Sequence, residues 1–254
     1  MKYSQSNIEQ LFKLIGSFPN QQYVQTDYFE YIKTKDSIWP NQLLNLQASE
    51  NEIETVLDLI EEQSKDGEIP NLLMLNPNTK IHSLNDKLRQ RAYKSGLWYA
   101  MAHSLNNLTP QNTNPNFKVI RVQIKDLGIW LSIVEEELMD NKPLNTVLFK
   151  NLLDNNNCYF YLGFERNLAV ATSFLFVDKK NAGVYLVSTK KTHRRKGFGR
   201  EMTNHCLLMA KVLRCENVEL QATEIGKGVY ESVGFTIHGS VDVFRIKKHN
   251  HNPE

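Results

Sequence analysis

The sequence has few cysteines, and none of them is spaced for metal binding. The chain of 254 residues contains three, Cys158, Cys206 and Cys215, without a CxxC motif, and its seven histidines suggest no ligand set. An odd number at this spacing argues against a disulfide framework and a zinc knuckle, so we expect reduced thiols and no metal site. Cys206 falls on the apolar stripe of a predicted helix, which favours core packing over a role as nucleophile.

Long apolar runs and a surplus of one charge are also missing. No run approaches the roughly 20 apolar residues that span a bilayer, and the stretch after Met1 to Ser6 lacks the apolar core of a signal peptide. The 30 basic and 28 acidic residues leave a formal charge of +2, too small to indicate a nucleic-acid or membrane partner. We therefore expect a cytoplasmic protein whose 41% hydrophobic content can bury a core.

A stretch rich in turn-forming residues, Leu105 to Asn116, breaks the composition of the chain. It predicts a linker at 105–115, between an amino-terminal domain at 1–104 and a carboxy-terminal domain at 116–248. The last residues, 249–254, are a polar tail. Each predicted domain is near the usual size of a folding unit.

Hydrophobic spacing in 116–248 predicts the element order β-α-α-β-β-β-α-β-α-β. The predicted strands are 117–122, 158–164, 168–177, 184–189, 218–222 and 235–246. The predicted helices are 127–138, a helix opened by Pro143 and carrying Leu144, Val147, Leu148 and Leu152, then 199–214 and 225–233. Short turns join the three consecutive strands, so we expect an α+β fold with a mixed, mostly antiparallel sheet flanked by helices.

The amino-terminal part is less legible and predicts an additional α/β domain. Ser49 and Glu52 fit a capping box ahead of a helix that starts at Ile53. Further elements are predicted as strands at 23–32, 38–46, 72–75 and 97–103 and a helix at 84–94. A weak echo between Tyr93-Lys94-Ser95-Gly96-Leu97 and Tyr230-Glu231-Ser232-Val233-Gly234-Phe235 raises the hypothesis of a degenerate half-copy, one without a glycine-rich loop.

The segment richest in chemistry is Val187 to Arg200, where a strand passes through a basic loop, Arg194-Arg195-Lys196-Gly197-Phe198-Gly199, into a helix. Glycines allow close backbone approach, and the first helical turn offers N–H groups and partial positive charge to an anion. Flanking Arg and Lys suit a pyrophosphate. A solvated basic turn or a weak nucleic-acid patch is the alternative, whereas the Walker and Rossmann patterns are absent.

This loop resembles the pyrophosphate loop of the GNAT superfamily of N-acetyltransferases, Arg/Gln-x-x-Gly-x-Gly/Ala, through Arg194, Gly197 and Gly199. A second block, Leu220 to Phe235, resembles the family's Tyr-Glu-x-x-Gly-Phe junction, and the predicted element order over 116–248 is that of the family. The resemblance implies a GNAT fold and acetyl-CoA as co-substrate. It implies CoA contacts from Val187, Ser188, Thr189, Arg194, Arg195, Lys196, Gly197, Phe198, Gly199, Arg200 and Tyr230, with strand-like pairing of the pantetheine arm at Val187 and Thr189.

Acyl transfer needs a neutral amine, an oxyanion donor and a proton for the departing thiolate. Tyr230 is the candidate acid, unless it only packs and touches CoA. Many family members carry a Glu on the fourth strand, but residues 183–187 hold no carboxylate. Glu219 or Glu224 could serve as base, directly or through water, unless both are plain surface carboxylates.

The acidic residues Glu135, Glu136, Glu137 and Asp140 close the first predicted helix of this domain. They could attract a cationic amine or form a solvated helix face, at a helix end that disfavours negative charge.

Taken together, the sequence predicts an N-acetyltransferase that passes an acetyl group from acetyl-CoA to a primary amine of a small molecule or peptide. The amino-terminal domain is expected to shape the acceptor side. The alternatives are a CoA-binding regulatory protein without turnover and a nucleic-acid-binding module built on Lys190 to Arg200. The acceptor and the choice between monomer and homodimer stay open.

Overall fold

A computed structural model describes residues 6–75, 83–91, 93–108 and 114–246. The polar tail and residues 109–113 of the expected linker lie outside these ranges. Within them the helices are α1 (Ser6–Gly16), α2 (Ile53–Lys65), α3 (Leu84–Gln90), α4 (Leu127–Leu138), α5 (Thr146–Leu153), α6 (Phe198–Val212) and α7 (Glu224–Glu231). The strands are β1 (Gln21–Gln25), β2 (Glu30–Thr34), β3 (Gln42–Leu44), β4 (Leu72–Met74), β5 (Lys94–Ser104), β6 (Phe117–Arg121), β7 (Cys158–Glu165), β8 (Leu168–Asp178), β9 (Asn181–Thr189), β10 (Asn217–Thr223) and β11 (Thr236–Arg245).

The element order predicted for 116–248 is confirmed, from β6 through β11. One helix begins later than predicted, because Asn145 caps it: its side chain accepts the backbone N–H of Leu148 at 2.9 Å, and α5 starts at Thr146 rather than at Pro143. Val147 consequently faces outward with 65% of its surface exposed, whereas Leu148 and Leu152 are buried.

Backbone contacts divide the chain into two compact units, each assembled from separate segments. Unit 1 holds the described residues of 1–11, 36–38 and 99–239, and unit 2 those of 12–35, 39–98 and 240–254. This division interleaves the two halves of the sequence. The expected domain bounds, 1–104 and 116–248, stay a prediction about the sequence.

Unit 1 is built on strands in the order β5-β10-β9-β8-β7-β6. Strands β7, β8 and β9 form the predicted antiparallel meander, β6 pairs with β7 in antiparallel orientation, and β10 pairs with β9 in parallel. One face packs against α6, whose Met202, Cys206 and Leu207 are fully buried. On the opposite face Trp130 of α4 meets Phe160 of β7 at 4.9 Å between ring centroids, so helices cover both faces as predicted.

Unit 2 joins β1, β2, β3, β4 and the second half of β11. The buried face of α2, with Ile53, Val56, Leu57 and Ile60, supplies much of its core. The predicted helix at Ile53 is confirmed. Of its capping box, Glu52 accepts the backbone N–H of Ser49 at 3.0 Å, while the Ser49 hydroxyl bonds to that same carboxylate.

One prediction for the amino-terminal part is wrong, and one helix was missed. The run 23–32 forms two strands rather than one, because the Thr26 hydroxyl accepts the backbone N–H of Phe29 at 3.0 Å and turns the chain between them. Helix α1 was not predicted at all, although its apolar residues recur at helical spacing: Ile8, Leu11, Phe12 and Ile15.

Candidate active site

The basic loop between β9 and α6 adopts a backbone suited to an anion. Arg195 and Gly197 both have left-handed conformations, with φ of 63° and 84°, and α6 begins directly afterwards at Phe198. Alternating backbone handedness turns successive N–H groups toward one side, and the first N–H groups of a helix have no intrahelical carbonyl to bond. The loop therefore presents backbone donors beside the positive end of the α6 dipole.

Carboxylates engage some of the loop's cations and leave others. The Arg194 guanidinium bonds to Glu137 at 2.5 Å and to the carbonyl of Thr189 at 3.1 Å, and Lys196 bonds to Glu165 at 2.8 Å. Within the described ranges Arg195 and Arg200 form no ion pair, and both are exposed. These two side chains keep their charge available for a ligand.

Phe198, Ser188 and Gly199 contribute backbone groups or close packing to the loop rather than charged side chains. The Phe198 ring is 2% exposed and stacks on Phe117 at 4.5 Å, so only its backbone can face a ligand. Ser188 is buried too, and its hydroxyl lies 2.7 Å from that of Thr172. A Cβ on Gly199 would lie 3.6 Å from Val229, which shows that α7 packs closely against the first turn of α6.

Strands β9 and β10 pair along only part of their length. Their parallel register joins 181–183 to 217–219, and no described residue of β10 pairs with 184–189. A bulge in β9 follows, because Leu186 and Val187 together oppose the single residue Ser173 of β8, with Leu186 at a φ of 49°. The backbone edge from Val187 to Thr189 can therefore accept an extended ligand as an added strand.

A buried polar cluster lies where this pairing ends. A Cβ on Gly183 would meet Asn7 Oδ1 at 2.1 Å and the Tyr185 hydroxyl at 2.3 Å, and the hydroxyl donates to that same Asn7 oxygen at 2.7 Å. Glu219, the register partner of Gly183, is 5% exposed. Paired residues on neighbouring strands point to the same face, so the Glu219 carboxylate shares this face with Tyr185 and Asn7.

Tyr230 lies near the end of α7, half-buried, with its ring 6.0 Å from that of Phe235 in an edge-to-face arrangement. Burial raises the pKa of its hydroxyl above the ordinary tyrosine value. The phenol is therefore protonated throughout the neutral range and can act as a hydrogen-bond or proton donor.

The second predicted base candidate, Glu224, has an unlike environment. It is exposed at the start of α7, where it accepts hydrogen bonds from Lys227 at 2.8 Å and from the Tyr99 hydroxyl. The Lys227 bond holds the pKa of this carboxyl below its ordinary value. A paired, weakly basic surface carboxylate is a poor proton acceptor.

The acidic end of α4 organises neighbouring backbone. Glu135 accepts the N–H of Leu144 at 2.7 Å, and Glu137 accepts the N–H of Lys191 at 2.8 Å in addition to the Arg194 bond. Neither sequence-based interpretation of this acidic run anticipated the ion pair between Glu137 and Arg194. The sequence signal for this pair is the position of the carboxylates at the C-terminal end of a helix, where negative charge is unfavourable unless a cation lies nearby.

No group of three or more His, Cys, Asp or Glu in the described part of the chain is arranged to hold a metal ion. Burial raises the pKa of the Cys206 thiol to about 12, consistent with packing in the core. Among the described helices, none is both long and apolar enough to cross a bilayer.

One known protein family matches this region of the sequence. The family described as "Acetyltransferase (GNAT) domain" matches residues 135–247, which include the loop, Tyr230 and both candidate carboxylates. Residues 135–247 of this chain thus match a GNAT acetyltransferase domain. No curated protein matches the sequence at a significant level.

Solved structures extend the fold similarity of the GNAT domain to nearly the whole chain. A GCN5-related N-acetyltransferase from Kribbella flavida is 13% identical, with 96% of this chain and 97% of that one covered and a TM-score of 0.71. One from Sphaerobacter thermophilus is 11% identical over 93% and 84% of the two chains, with a TM-score of 0.63. A putative GNAT acetyltransferase from Novosphingobium aromaticivorans is 10% identical over 95% and 93%, with a TM-score of 0.57. At these identities the likeness concerns the fold, and it includes the amino-terminal part that the sequence motifs do not cover.

Proposed function

We propose that the chain is an N-acetyltransferase that takes an acetyl group from acetyl-CoA and passes it to a primary amine. The observation that carries the proposal is the loop: left-handed backbone at Arg195 and Gly197, the first turn of α6, and two cations without a carboxylate partner in the described residues. These features fit a pyrophosphate bound by backbone N–H groups, with Arg195 and Arg200 as its charged contacts.

The partial separation of β9 and β10 supports the same ligand. Backbone groups from Val187 to Thr189 lie immediately before the loop, on an edge without a β10 partner in the register. An extended pantetheine arm that leaves a pyrophosphate in the loop would run along this edge and pair like a strand. Its thioester would then lie near the split, where the buried polar cluster begins.

In the proposed reaction the amine nitrogen attacks the thioester carbonyl carbon, the C–N bond forms and the C–S bond breaks. The amine gives up a proton and the departing thiolate takes one. Tyr230 is our candidate donor to the thiolate, because burial keeps its phenol protonated. Its raised pKa requires the site to stabilise the phenolate transiently or to return the proton rapidly.

Glu219 is our candidate proton acceptor in preference to Glu224. It is buried on the face that carries Tyr185 and Asn7, at the point where β9 and β10 separate. The Lys227 contact of Glu224 stabilises its ionised carboxylate and so opposes proton uptake, whereas Glu219 lies away from bulk water. A neutral amine held at this face would lose its proton to Glu219, directly or through a water.

The acceptor is a primary amine of a small molecule or a peptide. Because Asn7 of α1 fixes the Tyr185 hydroxyl, the amino-terminal part contributes to the acceptor side in this proposal. Deleting residues 1–16 should therefore weaken acceptor binding more than CoA binding. A cytoplasmic location stays a prediction.

The first experiment is a titration with acetyl-CoA, followed by a panel of polyamines, aminoglycosides, amino acids and peptides with detection of free thiol. Acetyl-CoA should raise the melting temperature by linkage, and at least one amine should release thiol. Binding without thiol release would support the regulatory alternative. Salt-sensitive polynucleotide binding with no response to acetyl-CoA would overturn the proposal.

A matched pair of variants tests the assignment of the base. Glu219→Gln should lower kcat about 100-fold with the amine that the panel identifies, because it removes the proton acceptor while keeping the size of the side chain. Glu224→Gln should change kcat less than about twofold, as expected for an exposed ion pair. Equal kcat values for the two variants would contradict the assignment.

A further inference from the structure

The first arginine of the loop motif is bonded to the protein itself. Its Nη2 lies 2.5 Å from Glu137 Oε2, and its Nε lies 3.1 Å from the carbonyl oxygen of Thr189. The other oxygen of Glu137 accepts the backbone N–H of Lys191 at 2.8 Å. One carboxylate thus joins two points of the loop that are three residues apart, across the short helical turn Lys191–His193.

The Glu137 side chain is fully buried, whereas that of Arg194 is 49% exposed. A buried carboxylate at the last turn of α4 is unfavourable both because it is desolvated and because of the helix dipole. Two charge-assisted hydrogen bonds, from the Lys191 amide and from Arg194, offset that cost. The buried carboxylate is therefore stabilised only while both donors stay in place. The neighbouring Glu136 makes a looser contact, 3.9 Å from Lys190, and is half-exposed.

We infer that Glu137 positions the phosphate loop and that Arg194 serves it as a positioning residue rather than as a phosphate ligand. The pair fixes the turn that leads into the left-handed residues Arg195 and Gly197, while Arg195 and Arg200 supply the charge that meets the anion. This inference names a residue outside the motif, on another element, that the CoA site of the proposed function depends on.

The two roles of Arg194 predict opposite signs for one substitution. If Glu137 positions the loop, Glu137→Gln weakens CoA binding, because the loop loses the charge that holds Arg194. If Arg194 is instead a phosphate ligand that Glu137 withholds, the same substitution strengthens CoA binding. An unchanged affinity would show that the contact is only structural.

The experiment is calorimetric titration of the full chain with CoA. Glu137→Gln should raise the Kd about tenfold, Arg194→Gln should raise it by a similar factor, and the double variant should add little, because the two residues act as one unit. Glu136→Gln is the matched control and should leave the Kd unchanged. A tighter or unaltered complex in Glu137→Gln, or additive losses in the double variant, would overturn the inference.

A ligand-free measurement separates this inference from the proposed function. Amide hydrogen exchange over 190–197 should be faster in Glu137→Gln than in the parent protein and unchanged in Glu136→Gln, with both variants melting as cooperatively as the parent. If the parent protein does not bind CoA, the proposed function fails and the exchange rates alone decide the role of Glu137. Unaltered exchange in Glu137→Gln and in Arg194→Gln would refute it.

Discussion

Each compact unit contains a helix that is followed by a strand, with a tyrosine near the end of the helix, and an arginine that is bonded to at least one carboxylate. In unit 2 Tyr93 lies between α3 and β5, and its hydroxyl donates to Glu61. In unit 1 Tyr230 lies near the end of α7, ahead of β11, and its hydroxyl has no hydrogen-bond partner among the described residues. Burial raises the pKa of both phenols, but only one of them is already committed to a partner.

The arginines differ in the same way. Arg91 bonds to three carboxylates of α2, Glu54, Asp58 and Glu61, and its side chain is 18% exposed. The loop of unit 1 has carboxylate partners for Arg194 and Lys196, whereas its glycines open the backbone around Arg195 and Arg200. The same residue types therefore form an ion-pair network in unit 2 and, we propose, an anion site in unit 1. The difference lies in the glycines and in the number of carboxylates per cation.

The largest effect should come from reversing the two available charges. Arg195→Glu with Arg200→Glu should weaken acetyl-CoA binding about 1,000-fold, because two charge-assisted contacts become repulsive. The measurement is the rise in melting temperature with acetyl-CoA, which should vanish. Arg89→Glu, at an exposed position of α3, is the control and should keep the full rise. A rise that persists in the double variant would contradict the loop assignment.

The two tyrosines give the next largest contrast. Tyr230→Phe should lower kcat about 100-fold without altering CoA affinity, because it removes only the proposed proton donor. Tyr93→Phe should leave kcat unchanged and reduce the free energy of unfolding by about 1 kcal/mol, since it removes one hydrogen bond. Rates with the amine from the panel and denaturant unfolding check both. If Tyr230→Phe affects stability but not kcat, Tyr230 is a packing residue.

The parts of the site that were predictable are local in sequence. Strand, basic loop, paired glycines and helix start all lie within 187–200, so spacing and residue type together indicated an anion site there. The antiparallel meander was predictable for the same reason, because short turns separate its strands.

What escaped prediction depends on contacts between distant residues. Arg194 and Glu137 are 57 positions apart, and Tyr185 and Asn7 are 178 apart, so no local pattern reports either hydrogen bond. The bulge at Leu186 arises from mismatched register with β8, which is also a property of the pairing. Helix α1 is a different matter, since its apolar spacing is local and visible in the sequence.

A smaller effect should separate two glycines that share a left-handed backbone. Gly197 and Gly67 have φ of 84° and 74°, and neither has an atom closer than 3.7 Å to the site of a Cβ. Alanine at either position should therefore reduce the free energy of unfolding by about 1 kcal/mol through backbone strain. Only Gly197→Ala should also weaken CoA binding, about tenfold, because only that strain distorts the phosphate cradle. Calorimetry and denaturant unfolding measure the two quantities, and an equal loss of CoA affinity in Gly67→Ala would remove the distinction.

The smallest effect concerns Glu54 and Glu165, two carboxyls whose pKa values are lowered by a lysine. The hydrogen bond from Lys87, with Arg91 beside it, lowers the pKa of Glu54, and the bond from Lys196 lowers that of Glu165. A lowered pKa means that each contact stabilises the fold above the unfolded carboxyl pKa and is lost as the pH falls through the folded value.

If bound CoA draws Lys196 toward its phosphates, the pKa of Glu165 should rise in the complex while that of Glu54 stays constant. CoA affinity should then increase slightly as the pH falls through that range. Carboxyl titration by NMR with and without CoA measures both groups, and Lys196→Met should reduce the ligand-dependent rise. A Glu165 pKa that stays fixed or falls on binding would exclude Lys196 from the phosphate contacts. Arg195 and Arg200 would then be the charges that distinguish this loop from the ion-pair network around Arg91.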